Sequence, residues 1–282
     1  MTTKSYPSDL TDAAWKVLHA ALAPLLPPYA NRKHPLRRIC EALAYRLRTS
    51  CQWRYLPHDF PPYQTVFYYY ADWTERGVFD EVNALIVKHS RWTASRAGGT
   101  PTEVQPTAGV TDSQAVKSGT RGRRDSLGFA GDKRVNGVKR VNGVKRHVIT
   151  DTDGRVLSVV VTAGNRHDGP VARECVIAAR LAGYESLRVL FADSGYRGQE
   201  GKCAREGVDL RVITRDEINA AKRERKRLKG KGFVPLPKRW VIERTFGILS
   251  QWRAIRISHE RRNDHVGSSY LLANSLLLLN RL

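Results

Sequence analysis

Two apolar runs in this chain each end on a carboxylate. "GVTDSQ" carries Asp112 and "LFADSGYRG" carries Asp193, each directly after residues that read as a β-strand. If those strands are parallel neighbours, their carboxyl ends lie side by side, where open α/β sheets build their sites. Carboxylates placed together repel each other unless a cation sits between them, and oxygen-only donors suit Mg²⁺ or Mn²⁺. Either Asp alone reads more simply as a turn cap, a common role for Asp before Ser-Gly; the two together favour metal. A third acid, Glu243, stands within "PKRWVIERTFGILSQWRAI", an amphipathic helix with Trp240, Phe246 and Leu249 on or near its apolar face. Arg239 and Arg244 flank it. Arg239 and Glu243 have the spacing of an (i, i+4) pair, yet an acid among buried apolar residues is costly without a partner.

The elements that must position these acids begin near residue 108. "AGVTDSQAVK" is a short strand carrying Asp112, "KRHVIT" and "RVLSVVV" are β-rich runs joined by the hairpin signal "DTDG", and "GPVARECVIAARLAG" is helical. With "LRVLFAD" following, the pattern is a mixed α/β sheet: three strands in antiparallel succession, a crossover helix, and a strand that a right-handed crossover lays parallel to the first. Asp168, before Gly-Pro, reads as a helix start.

Residues 1 to 95 read as helices. "SDLTDAAWKVLHAAL" has Ser8 or Thr11 as a cap and Trp15, Leu18 and Leu22 at helical spacing; "PLRRICEALAYRLRTS" repeats the pattern with Ile39, Leu43 and Leu47. A third helix starts at Tyr63 and stops at Gly77, and "VFDEVNALIVKHS" supplies a fourth. A basic helix, a Pro-containing turn and an aromatic-rich helix fit a helix-turn-helix variant, in which Tyr63, Gln64 and Thr65 face base edges. Tyr68, Tyr69, Tyr70 and Trp73 read equally well as core aromatics. "SRAGGTPTEVQPTAG", residues 95 to 109, reads as a linker. The division is therefore a helical DNA-binding domain over residues 1 to 100 and an α/β domain over 101 to 282.

Composition names the partner. Lys and Arg total 48 against 27 Asp and Glu, a formal net charge of +21 in 282 residues. Such an excess points to a polyanion, and nucleic acid fits best. Residues 117 to 146 and 215 to 231 are the densest basic clusters and read as phosphate clamps rather than base readers. The four cysteines form no C-x-x-C pair and read as reduced structural thiols. No leader pattern opens the sequence, and its most apolar stretch, "YLLANSLLLLN", is too short to span a bilayer, so the expected location is cytoplasmic, with no membrane partner.

Asp112 in "TDSQAVKSG", Asp193 in "ADSGYRG" and Glu243 in "RWVIERTFGIL" resemble the DDE triad of the insertion sequence 5 family of bacterial transposases. "YPSDLTDAAWKVL" and "CQWRYLPHDFPPYQTV" resemble that family's helical DNA-binding region, so the likeness covers nearly the whole chain. In the related Y-R-E-K signature Arg239 and Glu243 keep their spacing, but Leu236 and Ser250 replace the Tyr and Lys. The resemblance implies an RNase H-like catalytic domain, with Asp112, Asp193 and Glu243 as ligands of two Mg²⁺ or Mn²⁺ ions. It also implies binding of the element's terminal inverted repeats, cleavage there, and joining of 3′ ends to target DNA, by a homodimer on double-stranded DNA. Lys117, Arg146, His147, Arg197, Arg239 and Arg244 are the further candidates for DNA contact, with His147 also open to a structural role. A DNA-binding regulator without catalysis would account for the charge and the helices but would not require three acids.

"RVNGVKRVNGVK" repeats six residues, 134 to 139 and 140 to 145. Each copy holds Asn-Gly, the strongest short hairpin-turn signal. The extra copy is expected to lengthen the loop or hairpin arm between the first two strands.

Overall fold

The computed structural model describes residues 5–27, 33–94, 105–119, 128–130, 141–214 and 239–281, with isolated positions between 216 and 227. Four helices come first: α1 (Asp12–Leu22), α2 (Leu36–Thr49), α3 (Tyr63–Glu75) and α4 (Val78–Ala94). Thr11, not Ser8, caps α1, its hydroxyl accepting from Ala14 N at 3.1 Å. Gly77, at φ +70°, makes the sharp turn from α3 into α4 that a Cβ would strain.

A mixed sheet follows, built from β1 (Ala108–Lys117), β2 (Gly128–Ala130), β3 (Val141–Asp151), β4 (Val156–Ala163), β5 (Val189–Ala192) and β6 (Asp209–Val212). β1 pairs antiparallel with β3 and parallel with β5, which pairs parallel with β6; β3 also pairs antiparallel with β4. The order β4-β3-β1-β5-β6, with β3 alone running against the rest, is the RNase H-like sheet. The crossover helix α5 (Asp168–Leu181) covers one face, and its Val171, Cys175 and Val176 are fully buried. On the other face lie α7 (Arg239–Leu249), α8 (Arg253–Arg256) and α9 (Asn263–Leu279), while short α6 (Glu200–Ala204) leads into β6.

The helical region and the sheet share one core. A single cluster of buried apolar side chains runs from Leu10 to Leu279. α9 passes through its middle, buried at 14 of 17 positions, against α4, α3 and α2 as well as β4. Polar ties cross the same boundary: Asn83 Nδ2 donates to Val156 O at 2.9 Å, Asn274 Nδ2 donates to Asn83 Oδ1 at 2.7 Å, and Arg91 pairs with buried Asp151 at 2.6 Å. The change of pattern near residue 100 is thus a change of secondary structure within one packed body. Residues 95–104 of the expected linker lie outside the described residues.

The duplicated segment also departs from expectation. The second Asn-Gly, Asn142-Gly143, is no turn: it lies in β3, where Gly143 pairs with both Lys117 and Gly128. A Cβ on Gly143 would stand 1.9 Å from Val116 O, so close strand approach, not turn geometry, requires glycine here. The first copy lies outside the described residues. Because the copies are identical, deleting residues 140–145 gives the same chain as deleting 134–139, and β3 keeps its sequence. That deletion is expected to leave stability within about 1 kcal/mol, the scale of a loop-length change. Chemical denaturation measures it; a loss of several kcal/mol would mean that both copies are built into the core.

Candidate active site

β1 and β5 are parallel and in register, Val110 facing Phe191. Each acid stands two residues beyond that pair, Asp112 still within β1 and Asp193 just past the end of β5, so both fall where the two strands part. Asp112 lies in the middle of β1 rather than at its end, because β1 continues to Lys117 against β3 alone. What ends beside Asp112 is the β1–β5 pairing, and this opens the seam there.

Each carboxylate is steered by its own backbone. Asp112 accepts from Ser113 N at 2.7 Å, and Asp193 accepts from Gly195 N at 2.9 Å as the cap of the turn Ser194–Tyr196. The turn-cap reading of Asp193 therefore holds, and it fixes the acid at the seam. A Cβ on Gly195 would lie 3.0 Å from Asp193 Oδ1, so the small residue leaves room for the carboxylate. Both aspartates are half-buried.

Asp112 shares its face of the sheet with Val110 and, across the β1–β3 register, with Val148 and Arg146. Arg146 Nη2 donates to Ile255 O at 2.8 Å and its guanidinium lies 4.8 Å from the Tyr270 ring, so this is the face that α8 and α9 cover. α7 packs against β1, with Val241 and Ile242 buried and Glu243 exposed. Thr245 Oγ1 donates to Gly154 O at 2.8 Å, pinning α7 to the β3–β4 turn. Among the described residues no three acidic, His or Cys side chains close to metal-holding distance. By type the three candidate acids are oxygen donors, the kind that hard divalent cations prefer.

The remaining candidates divide by burial. Lys117, Arg197, Arg244 and Gln64 are exposed, Tyr63 and Thr65 half-buried. Arg244 is held against the β3–β4 turn, donating to Asp153 O at 2.7 Å, and lies over Trp240. Arg239 opens α7. Of the α3 aromatics, Tyr70 and Trp73 are core, whereas Tyr68 is exposed. Arg146 and His147 are corrected. Arg146 is 2% exposed and His147 0%, so neither is placed to touch a DNA strand. Burial brings the Arg146 guanidinium down to about 10, and its cation answers to Ile255 O and Tyr270 instead. His147 lies on the opposite face, its Nε2 2.8 Å from Thr162 Oγ1. Most of the two basic clusters lies outside the described residues.

Behind the acids is a buried polar group that sequence reading missed. Lys145 pairs with Asp168 at 3.1 Å, beside His147. Tyr196, buried and three residues past Asp193, has its phenol pushed well up by burial and then by the charges of Asp112 and, more weakly, Cys175 and Asp168. The one signal in the sequence was the Tyr of "DSGYRG"; Lys145 and Asp168 meet only through the β3–α5 packing.

Sheet order defines the class, an RNase H-like α/β protein with helices on both faces. The chain belongs to the DDE transposases: the family model "Transposase DDE domain" matches residues 104–278, more than half of its length. Residues 10–83 match a second model, "Putative transposase of IS4/5 family". The chain is 30% identical over 142 residues to a Burkholderia cepacia protein described as "Putative transposase for insertion sequence element IS402", a match covering 48% of this chain and 63% of that one. No solved structure matches. No helix among the described residues is long and apolar enough to cross a membrane.

Proposed function

We propose that this protein is the transposase of an insertion sequence: it binds the element's terminal inverted repeats, cuts there and joins the freed 3′ ends to target DNA. The observation that supports the reading is the parallel pairing of β1 with β5, which ends at Val110 and Phe191, two residues before Asp112 and Asp193. Asp112 and Asp193 would be shared ligands of two Mg²⁺ or Mn²⁺ ions and Glu243 would complete the set. Metal held by these residues would supply activation of water or a 3′-hydroxyl and stabilisation of the leaving oxygen. The protein's own part is to orient: the Asp193 turn and the β1 backbone fix two carboxylates, and α7 presents the third. No covalent bond between protein and DNA is required.

Lys117, Arg197, Arg239 and Arg244 contact phosphates around the cut, and each of these pairings makes affinity salt-dependent. Tyr63, Gln64 and Thr65, opening α3, meet base edges in the terminal repeats. The protein works as a homodimer on DNA, in the bacterial cytoplasm at the nucleoid.

The test is nicking of duplex carrying the element's ends, with and without Mg²⁺. Strand breaks at the ends that require the cation are the expected result. Binding to those ends without any metal-dependent break would assign the chain instead to the non-catalytic regulators.

A further inference from the structure

After α7 the chain doubles back to the far end of β1. Ser258 N donates to Lys117 O at 2.9 Å and Ser258 O accepts from Gly119 N at 2.8 Å, so residue 258 lies alongside Ser118 as a parallel bridge. The segment is fastened from beneath. Arg46 donates to Glu260 at 2.6 Å, Arg146 to Ile255 O at 2.8 Å, and the Arg48 guanidinium lies 3.7 Å from the Trp252 ring. Trp252, Ile255 and Ser258 are buried.

On this fixed base Arg253, Arg256 and Arg261 are exposed, and among the described residues no ion pair or hydrogen bond holds any of them. Other surface arginines do have acids: Arg37 with Asp12 at 2.6 Å, Arg173 with Glu206 at 2.7 Å, Arg211 with Asp209 at 2.8 Å. Glu260 is the sole acid from 252 to 261, and it is taken up by Arg46 and His265. Guanidinium groups without acids, on a backbone that cannot recoil, are suited to phosphate oxygens, for which their planar fork is shaped. Exposed Lys117 stands at the same edge.

We propose that residues 253–261 form a rail that grips the sugar-phosphate backbone of duplex DNA beside the acidic seam. Ser118 lies six residues beyond Asp112 along the chain, about 20 Å at strand rise, so the rail holds DNA about six base pairs from the bond that is cut. It supplies position and affinity, not sequence, because arginines that meet only phosphates read charge. The inference rests on the transposase reading for its partner.

The experiment uses the full chain and a duplex lacking the element's ends, with affinity measured across a salt series. Replacing Arg253, Arg256 and Arg261 together by Ala is expected to weaken binding and to flatten the slope of log affinity against log salt by about 2 to 3, close to 0.9 for each phosphate no longer neutralised. The matching Lys variant should restore most of the slope. If the triple Ala variant melts early, Arg253→Ala and Arg261→Ala singly should each lower the slope by about 1. A folded triple variant with the wild-type slope and affinity overturns the rail. Nicking assayed in parallel separates the two ideas: a wild-type chain that binds duplex but never nicks element ends defeats the catalytic reading and leaves the rail standing.

Discussion

Asp112→Asn, Asp193→Asn and Glu243→Gln are each expected to abolish metal-dependent cleavage while leaving DNA binding intact or slightly stronger. A bound cation contributes several kcal/mol to stabilising charge in the transition state, and about 1.4 kcal/mol is tenfold in rate, so the loss should be about a thousandfold or more. The fold should not register the changes. An amide oxygen still accepts from Ser113 N and from Gly195 N, the two backbone bonds that orient the aspartates, and Glu243 is exposed on α7. Removing a negative charge also relieves repulsion of the phosphate that must approach the seam. Nicking and binding are measured on the same duplex. A variant that nicks at the wild-type rate removes that residue from the site.

An isolated fragment of residues 1–100 is expected not to fold cooperatively. Sequence periodicity makes it look like a free-standing helical domain with its own taste for terminal-repeat DNA. In the structure its helices close around α9: Tyr70 donates to His265 O at 2.5 Å and meets Ser269 Oγ at 2.8 Å, while Ile86 and Val87 belong to the core through which α9 runs. Burying one large aliphatic side chain contributes roughly 1.5–3 kcal/mol, and a whole domain is stable by only about 5–15 kcal/mol. Exposing a handful of such residues, together with Asn83 left without its Val156 and Asn274 partners, exceeds that margin. Circular dichroism during heating should show a broad, uncooperative change. A sharp sigmoidal melt of the fragment would mean that α1–α4 hold their own core. End recognition is therefore better measured in the full chain, where Gln64→Ala should reduce preference for terminal-repeat over random duplex in a gel-shift competition.

By itself the sequence determined the kinds of element and singled out three acids as candidates. Period-2 and period-3.6 patterns depend on neighbours along the chain, so α1 to α4, the β3–β4 hairpin and the crossover helix were legible, and so was the parallel placement of β5 beside β1. Asp112, Asp193 and Glu243 stood out because a carboxylate against an apolar run needs a reason that local chemistry alone does not give. Tertiary structure decided what depends on residues distant in sequence. Strand pairing made Asn142-Gly143 a strand instead of a turn, because Gly143 is where backbones from β1 and β2 crowd β3. Packing of α8 and α9 turned Arg146 from a surface cation into a buried one, and the meeting of α5 with β3 joined Lys145 to Asp168. The shared core arises in the same way: the apolar stretch of α9 is visible in "YLLANSLLLLN", but that this helix is buried nearly all round, and by which elements, is fixed only when the chain's last helix returns to its first four.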